Sequence, residues 1–226
     1  LLTGVQPGGE GGGKPGIREL KLQVEVAAGT VREIPFTDLA ADLSLQNSHL
    51  AVQAANLGIF GGMLSGSGTV ELASADGPAY QAKYRLERVD AAQLLKATGS
   101  DQSVTGLLTA AGEVTMQGSS QADLKKSAAA TARLHLQEGT VGKTGEKIPY
   151  SVIDADLAFT NGILTVQGLN AAISGGTVSG SGTVELASAD GPAYQARYQL
   201  ERVDAAQFLK MVGLTPVVTG RLTATG

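Results

Sequence analysis

Few side chains in this sequence are equipped for covalent or metal chemistry. His49 and His135 are the two imidazoles among 226 residues, and there is no cysteine. Thiolate nucleophiles, disulfides and zinc–thiolate sites are therefore excluded together. Each histidine stands on the polar side of an alternating segment, and a zinc site needs three or four ligands. Both are read as solvated strand residues. Ser65, Ser67, Ser179 and Ser181 sit in SGSG runs, yet no G-x-S-x-G elbow frames them and no strand-to-helix turn follows. Such runs fit strands that twist or approach closely. No G-x-G-x-x-G or G-x-x-x-x-G-K-[ST] stands ahead of a helical pattern to cradle a phosphate. Asp90 and Asp204 each precede a short apolar stretch, the place of a helix N-cap. Lys83, Arg85 and Arg197 alternate away from the apolar residues, where an anionic headgroup could meet them and where a solvated face also accounts for them. The chain reads as non-enzymatic, with no cofactor and no metal.

The elements that carry these residues are written twice. Ser65 to Lys96 recurs as Ser179 to Lys210, differing over 32 positions only at Lys83/Arg197, Arg85/Gln199 and Leu94/Phe208, a constant offset of 114 residues. The same offset pairs Ile34-Pro35-Phe36 with Ile148-Pro149-Tyr150 and Gly61-Gly62 with Gly175-Gly176. A unit this long holds several strands, and neighbouring copies share a core. The division expected is a Gly-rich linker over 1–16, a first β module over 17–117 and a second over 118–226, the modules meeting near Gln117 to Ala132.

Composition agrees with many short strands. Hydrophobic residues make up 42%, only 4% are aromatic, and there are 31 glycines. The net charge of -4 comes without a basic run, which argues against a nucleic-acid partner. Alternation of period two runs through Leu20 to Val26, Leu39 to Leu45, Leu50 to Ala54, Leu64 to Leu72 and Tyr80 to Leu86, and again through the second copy. Asn47-Ser48 and Asn161-Gly162 predict hairpins. Val89 to Lys96 predicts a two-turn helix capped by Asp90 and ended at Gly99, too short to stand without the sheet. A second helical turn is expected at Ser120 to Ser127. No run approaches the roughly 18 apolar residues of a membrane-spanning helix. The chain opens on Leu1, and it stops at Gly226 where the first copy continues as strand through Gln117. A longer parent protein is expected, with an N-terminal anchor outside this sequence.

The order of these signals resembles the C-terminal region of the AsmA family of bacterial envelope proteins. The resemblance rests on Asn161-Gly162-Ile163-Leu164-Thr165-Val166 followed by Gly175-Gly176-Thr177-Val178-Ser179-Gly180, on Val89-Asp90-Ala91-Ala92-Gln93-Leu94-Leu95, and on Thr105-Gly106 through Gly112. A link from Gln117-Gly118-Ser119 through Leu134 to Thr140 also matches, so that the likeness covers Leu20 to Gly226. It implies a mainly β fold: a curved, open, groove-like antiparallel sheet of two tandem repeats with short capping helices. It further implies a periplasmic location, tethering to the inner membrane, and a part in outer-membrane biogenesis and lipid homeostasis. The partners implied are phospholipid acyl chains, envelope membranes and further modules of the same parent chain.

Alternation shows only that one face is apolar. If that face is an open groove, its lining is Leu50, Val52, Val70, Leu72, Tyr80, Tyr84 and Leu86 in the first copy and Leu164, Val166, Val184, Leu186, Tyr194, Tyr198 and Leu200 in the second. The competing reading is a closed sandwich with a dry core, a structural repeat of a surface or adhesive protein.

Overall fold

A computed structural model describes residues 19–99, 103–143, 146–186, 193–211 and 218–226. The expected linker over 1–16 lies outside them. Among the described residues the fold is mainly β: antiparallel strands in one open, unclosed sheet, with three short helices. Twelve strands follow one another in the order β1-β2-β3-β4-β5-β7-β8-β9-β10-β11-β12-β13, and the two-residue β6 (Ser103–Val104) pairs β8 off that path. Among the described residues the strands at the two ends of this order do not pair with each other, so the sheet is not closed into a barrel.

Local sequence explains the meander. β1 (Glu19–Val31), β2 (Ile34–Gln46), β3 (His49–Ile59) and β4 (Gly62–Glu71) are joined by two-residue turns, as are β9 (Glu146–Thr160), β10 (Ile163–Ile173) and β11 (Gly176–Glu185). Both residues of each turn have positive φ: Arg32 and Glu33, Asn47 and Ser48, Phe60 and Gly61, Asn161 and Gly162, Ser174 and Gly175. That is the backbone whose twist matches the flanking strands. Both predicted hairpins are present, and Arg32-Glu33 makes another despite carrying no turn signature.

The helices form where the caps stand. In α1 (Ala91–Ala97) the Asp90 carboxylate accepts from the Gln93 amide at 2.9 Å, and Asp204 does the same for Gln207 in α3 (Ala205–Met211), also at 2.9 Å. Gly99 ends the first helix at φ +74, its amide donating to the Lys96 carbonyl. α2 (Gln121–Ser127) opens with a reciprocal capping box between Ser120 and Asp123.

Contacts divide the chain into two compact units, Leu1–Arg85 with Gly112–Ala130, and Leu86–Ala111 with Thr131–Gly226. These do not follow the repeat. The second unit takes Leu86–Ala111 because α1 buries Ala91 against Leu108 and Ala110 of β7 (Leu107–Gln117), with Leu134 and Leu136 of β8 (Ala129–Lys143) beside them.

In the first unit the register aligns Leu20, Leu45, Leu50 and Val70 across four strands, and Leu22, Leu43, Val52 and Gly68 in the next row. In the second, Ile148, Tyr150 and Ile173 form another buried cluster. Every buried apolar side chain among the described residues belongs to the second unit.

Candidate functional site

The second unit presents its apolar residues in four rows across β9, β10, β11 and β12 (Ala193–Asp204). The rows run Ile153, Ala171, Val178, Leu200; then Ala155, Leu169, Gly180, Tyr198; then Leu157, Val166, Gly182, Ala196; then Phe159, Leu164, Val184, Tyr194. Opposed residues in an antiparallel sheet share a face, so the rows form one surface. α3 packs against both β9 and β12, the outer pair of these four strands. The first row is the covered one: Ala171 is 8% exposed and Leu200 only 2%. Moving along the strands the face opens, until Tyr198 is 47% and Tyr194 74% exposed.

Between these ends lies a depression of about 240 Å³. Its floor is Gly180 and Gly182, and around it stand Val166, Leu169, Val178, Val184, Tyr194 and Tyr198. The glycines are required by the sheet itself. A Cβ on Gly182 would lie 2.6 Å from the Gln195 carbonyl oxygen, and one on Gly180 2.8 Å from that of Arg197. Their absent side chains leave the hollow, and the tyrosines flank it.

A β-bulge shapes the same place. Val166 faces Gly182 while Leu169 faces Gly180, so β10 carries one residue more than β11 between those points. The extra residue reverses the alternation, bringing Leu169 onto the face of Leu164 and Val166. The first copy repeats this: Val52 faces Gly68 and Ala55 faces Gly66.

Of the fourteen residues expected to line a groove, Val166, Val184, Tyr194 and Tyr198 meet around the depression. Leu164 is half-buried in the adjoining row, and Leu186, 56% exposed, lies just past β11. In the first unit Leu50, Val52 and Val70 share one face and are half-buried, as are Tyr80 and Tyr84, while Leu72 is 49% exposed beyond β4. Two of the fourteen lie away from the depression. Leu200 lies in the covered row, and Leu86 packs into the Ala91 cluster under α1. The helices predicted to cap the sheet take these positions off the open face. Leu169 was missed because the bulge breaks its parity. Val178 was within reach, since the offset pairs it with Leu64.

The polar side holds cross-strand pairs. His49 Nδ1 lies 3.0 Å from Glu71 and His135 Nδ1 2.6 Å from Asp154, both exposed. Arg133 donates to Asp156 at 2.8 Å, a bond that raises the pKa of the guanidinium. Among the described residues no three histidine, aspartate or glutamate side chains gather to hold a metal ion. Nor is any described helix long and apolar enough to cross a membrane.

A family model described as "AsmA family" matches residues 13–146, more than half of the chain. No curated protein and no solved structure matches it.

Proposed function

The chain belongs to the AsmA family, and from that membership we propose that it is a non-enzymatic segment of a bacterial envelope protein that shields phospholipid acyl chains. The observation that carries this reading is the apolar depression between Tyr194 and Tyr198 on the open face of β9 to β12. Its volume of about 240 Å³ is below the roughly 300–1,000 Å³ of sites that enclose a small molecule. A linear chain lying along the face suits it better. Each methylene removed from water there contributes about 0.8 kcal/mol without any polar anchor. The covered row under α3 ends the trough on one side, and the exposed tyrosines offer an apolar body with a polar tip, suited to a surface wet on one side. On this reading the segment works in the periplasm, tethered to the inner membrane by a part of the parent protein outside this sequence, and serves outer-membrane lipid homeostasis.

The test is native mass spectrometry, without detergent, of the full chain expressed in a bacterial periplasm. Adducts of phospholipid mass are expected on the wild-type protein. They should be lost when Tyr194→Asp and Tyr198→Asp are combined, in a variant whose circular dichroism is unchanged. A clean ligand-free mass from the folded wild type, or adducts that persist in the double variant, overturns the reading.

A further inference from the structure

Behind each glycine floor, on the opposite and polar face of the sheet, the structure carries the same hollow twice. In the first unit it is a depression of about 400 Å³ among Gln53, Ser67, Thr69, Gln81 and Lys83. In the second it is one of about 240 Å³ among Gln167, Ser181, Thr183, Gln195 and Arg197. Those residues correspond one to one at the offset of 114, with lysine exchanged only for arginine. The origin is the bulge at Gln53 and at Gln167, which increases local twist and adds an unpaired residue beside the glycine strand.

The chemistry of the lining is selective. Acidic residues outnumber basic ones in the chain, 21 to 17, yet no acidic side chain lines either depression and each has one cation. Two amides in each, with two hydroxyls in the first and three in the second, where Thr165 stands in the place of Ala51, supply both donors and acceptors, the inventory that matches vicinal hydroxyl groups. A guanidinium binds a carboxylate through two parallel hydrogen bonds. We propose that these depressions are binding sites for an acidic glycan, its sugar hydroxyls meeting the glutamines and the serine and its carboxylate meeting the cation. The side chains named alternate to the other side of the strands from Val166, Val184, Tyr194 and Tyr198, while Ser181, Thr183, Gln195 and Arg197 also border the apolar depression.

In the first unit Lys83 pairs with the exposed carboxylate of Glu113 at 3.2 Å, a contact that a ligand carboxylate there would have to displace.

The experiment titrates fluorescently labelled tri-galacturonate into the full chain, with the methyl-esterified trisaccharide and inorganic phosphate as competitors. Saturable binding is expected, displaced by unlabelled tri-galacturonate and not by its methyl ester or by phosphate. Arg197→Gln should weaken it at least about tenfold, the loss of a charge-assisted contact. Gln167→Ala with Gln195→Ala should weaken it likewise. Adding Glu113→Gln to Arg197→Gln should recover part of the binding by releasing Lys83. No saturable binding to folded wild-type protein overturns the proposal. So does competition by phosphate equal to that by the trisaccharide, which would mean simple ion pairing, or unchanged affinity in the Arg197→Gln variant.

Discussion

β5 (Ala79–Asp90) and β12 are the same strand with two substitutions, Lys83/Arg197 and Arg85/Gln199, yet their tyrosines live differently. Tyr80 and Tyr84 are half-buried, while Tyr194 and Tyr198 are exposed. The ends of the two strands that enter the helices are alike: the Ala91 amide donates to the Gly106 carbonyl at 3.0 Å, and that of Ala205 to Gly220 at 2.9 Å. The other ends diverge. Near the start of β5, Gly118 donates to Pro78 and Glu113 pairs with Lys83. Along β12, β13 (Arg221–Thr225) pairs with Gln199–Asp204, and Tyr198 exchanges bonds with Gly226. Exposure here follows the strand alongside: β7 continues to Gln117, whereas the sequence ends at Gly226, opposite Tyr198.

The largest break in this comparison is expected at Leu86 and Leu200, equivalent in sequence and unequal in burial. Leu200→Ala should cost about 2–5 kcal/mol, since a cavity is added to the lost transfer energy. Leu86→Ala, at a half-buried side chain, should cost about 1–2 kcal/mol by transfer alone. Urea unfolding midpoints for the two variants measure the difference. Equal losses would show that the partner strand does not decide burial.

Gly68 and Gly182 sharpen the comparison from the opposite side, because here the copies agree. A Cβ would meet the Gln81 carbonyl oxygen at 2.8 Å and that of Gln195 at 2.6 Å. Backbone cannot step aside as a flexible side chain can. Alanine at either glycine should cost about 1–3 kcal/mol, the range for overpacking, and the two values should match in the same assay.

What the sequence made legible follows the same division between local and non-local causes. Alternation, the Asn47-Ser48 and Asn161-Gly162 turns, and the caps at Asp90 and Asp204 depend on near neighbours, and all were readable. The Arg32-Glu33 turn was not, because positive φ at charged residues is imposed by the hairpin that closes around them. Nor were the bulges at Gln53 and Gln167, which exist only relative to the facing strand, and which moved Leu169 onto the open face. The site was half legible for that reason. Val166, Val184, Tyr194 and Tyr198 could be named from parity, whereas the covering of Leu86 and Leu200 depended on where short helices come to rest.

A third contrast lies at Phe36 and Tyr150, again one position at the repeat offset. In the first unit Phe36 lies over Gly29, where a Cβ would be 2.5 Å from the ring. In the second, Tyr150 is buried and its hydroxyl donates to the Thr105 carbonyl. Desolvation raises the pKa of this phenol above its ordinary value of 10.0. The stabilisation from the neutral ring is therefore full below pH 10.0 and is lost as the pH climbs through that value toward the raised one. Tyr150→Phe should cost about 1 kcal/mol at neutral pH, the net worth of one hydrogen bond. It should also flatten the decline above that pH, a difference that denaturant midpoints at neutral and alkaline pH would reveal.

The smallest effect is the most telling for function. Tyr194 is 74% exposed, so Tyr194→Ser should change stability by no more than about 0.5 kcal/mol, as at other surface positions. Tyr80→Ser, at the equivalent half-buried position, should cost more. A side chain that stability does not need, yet whose replacement weakens lipid adducts, belongs to a binding surface and not to a core. If Tyr194→Ser destabilises as much as Tyr80→Ser, the face of β12 is already covered in solution, and the depression beside it is not open to an acyl chain.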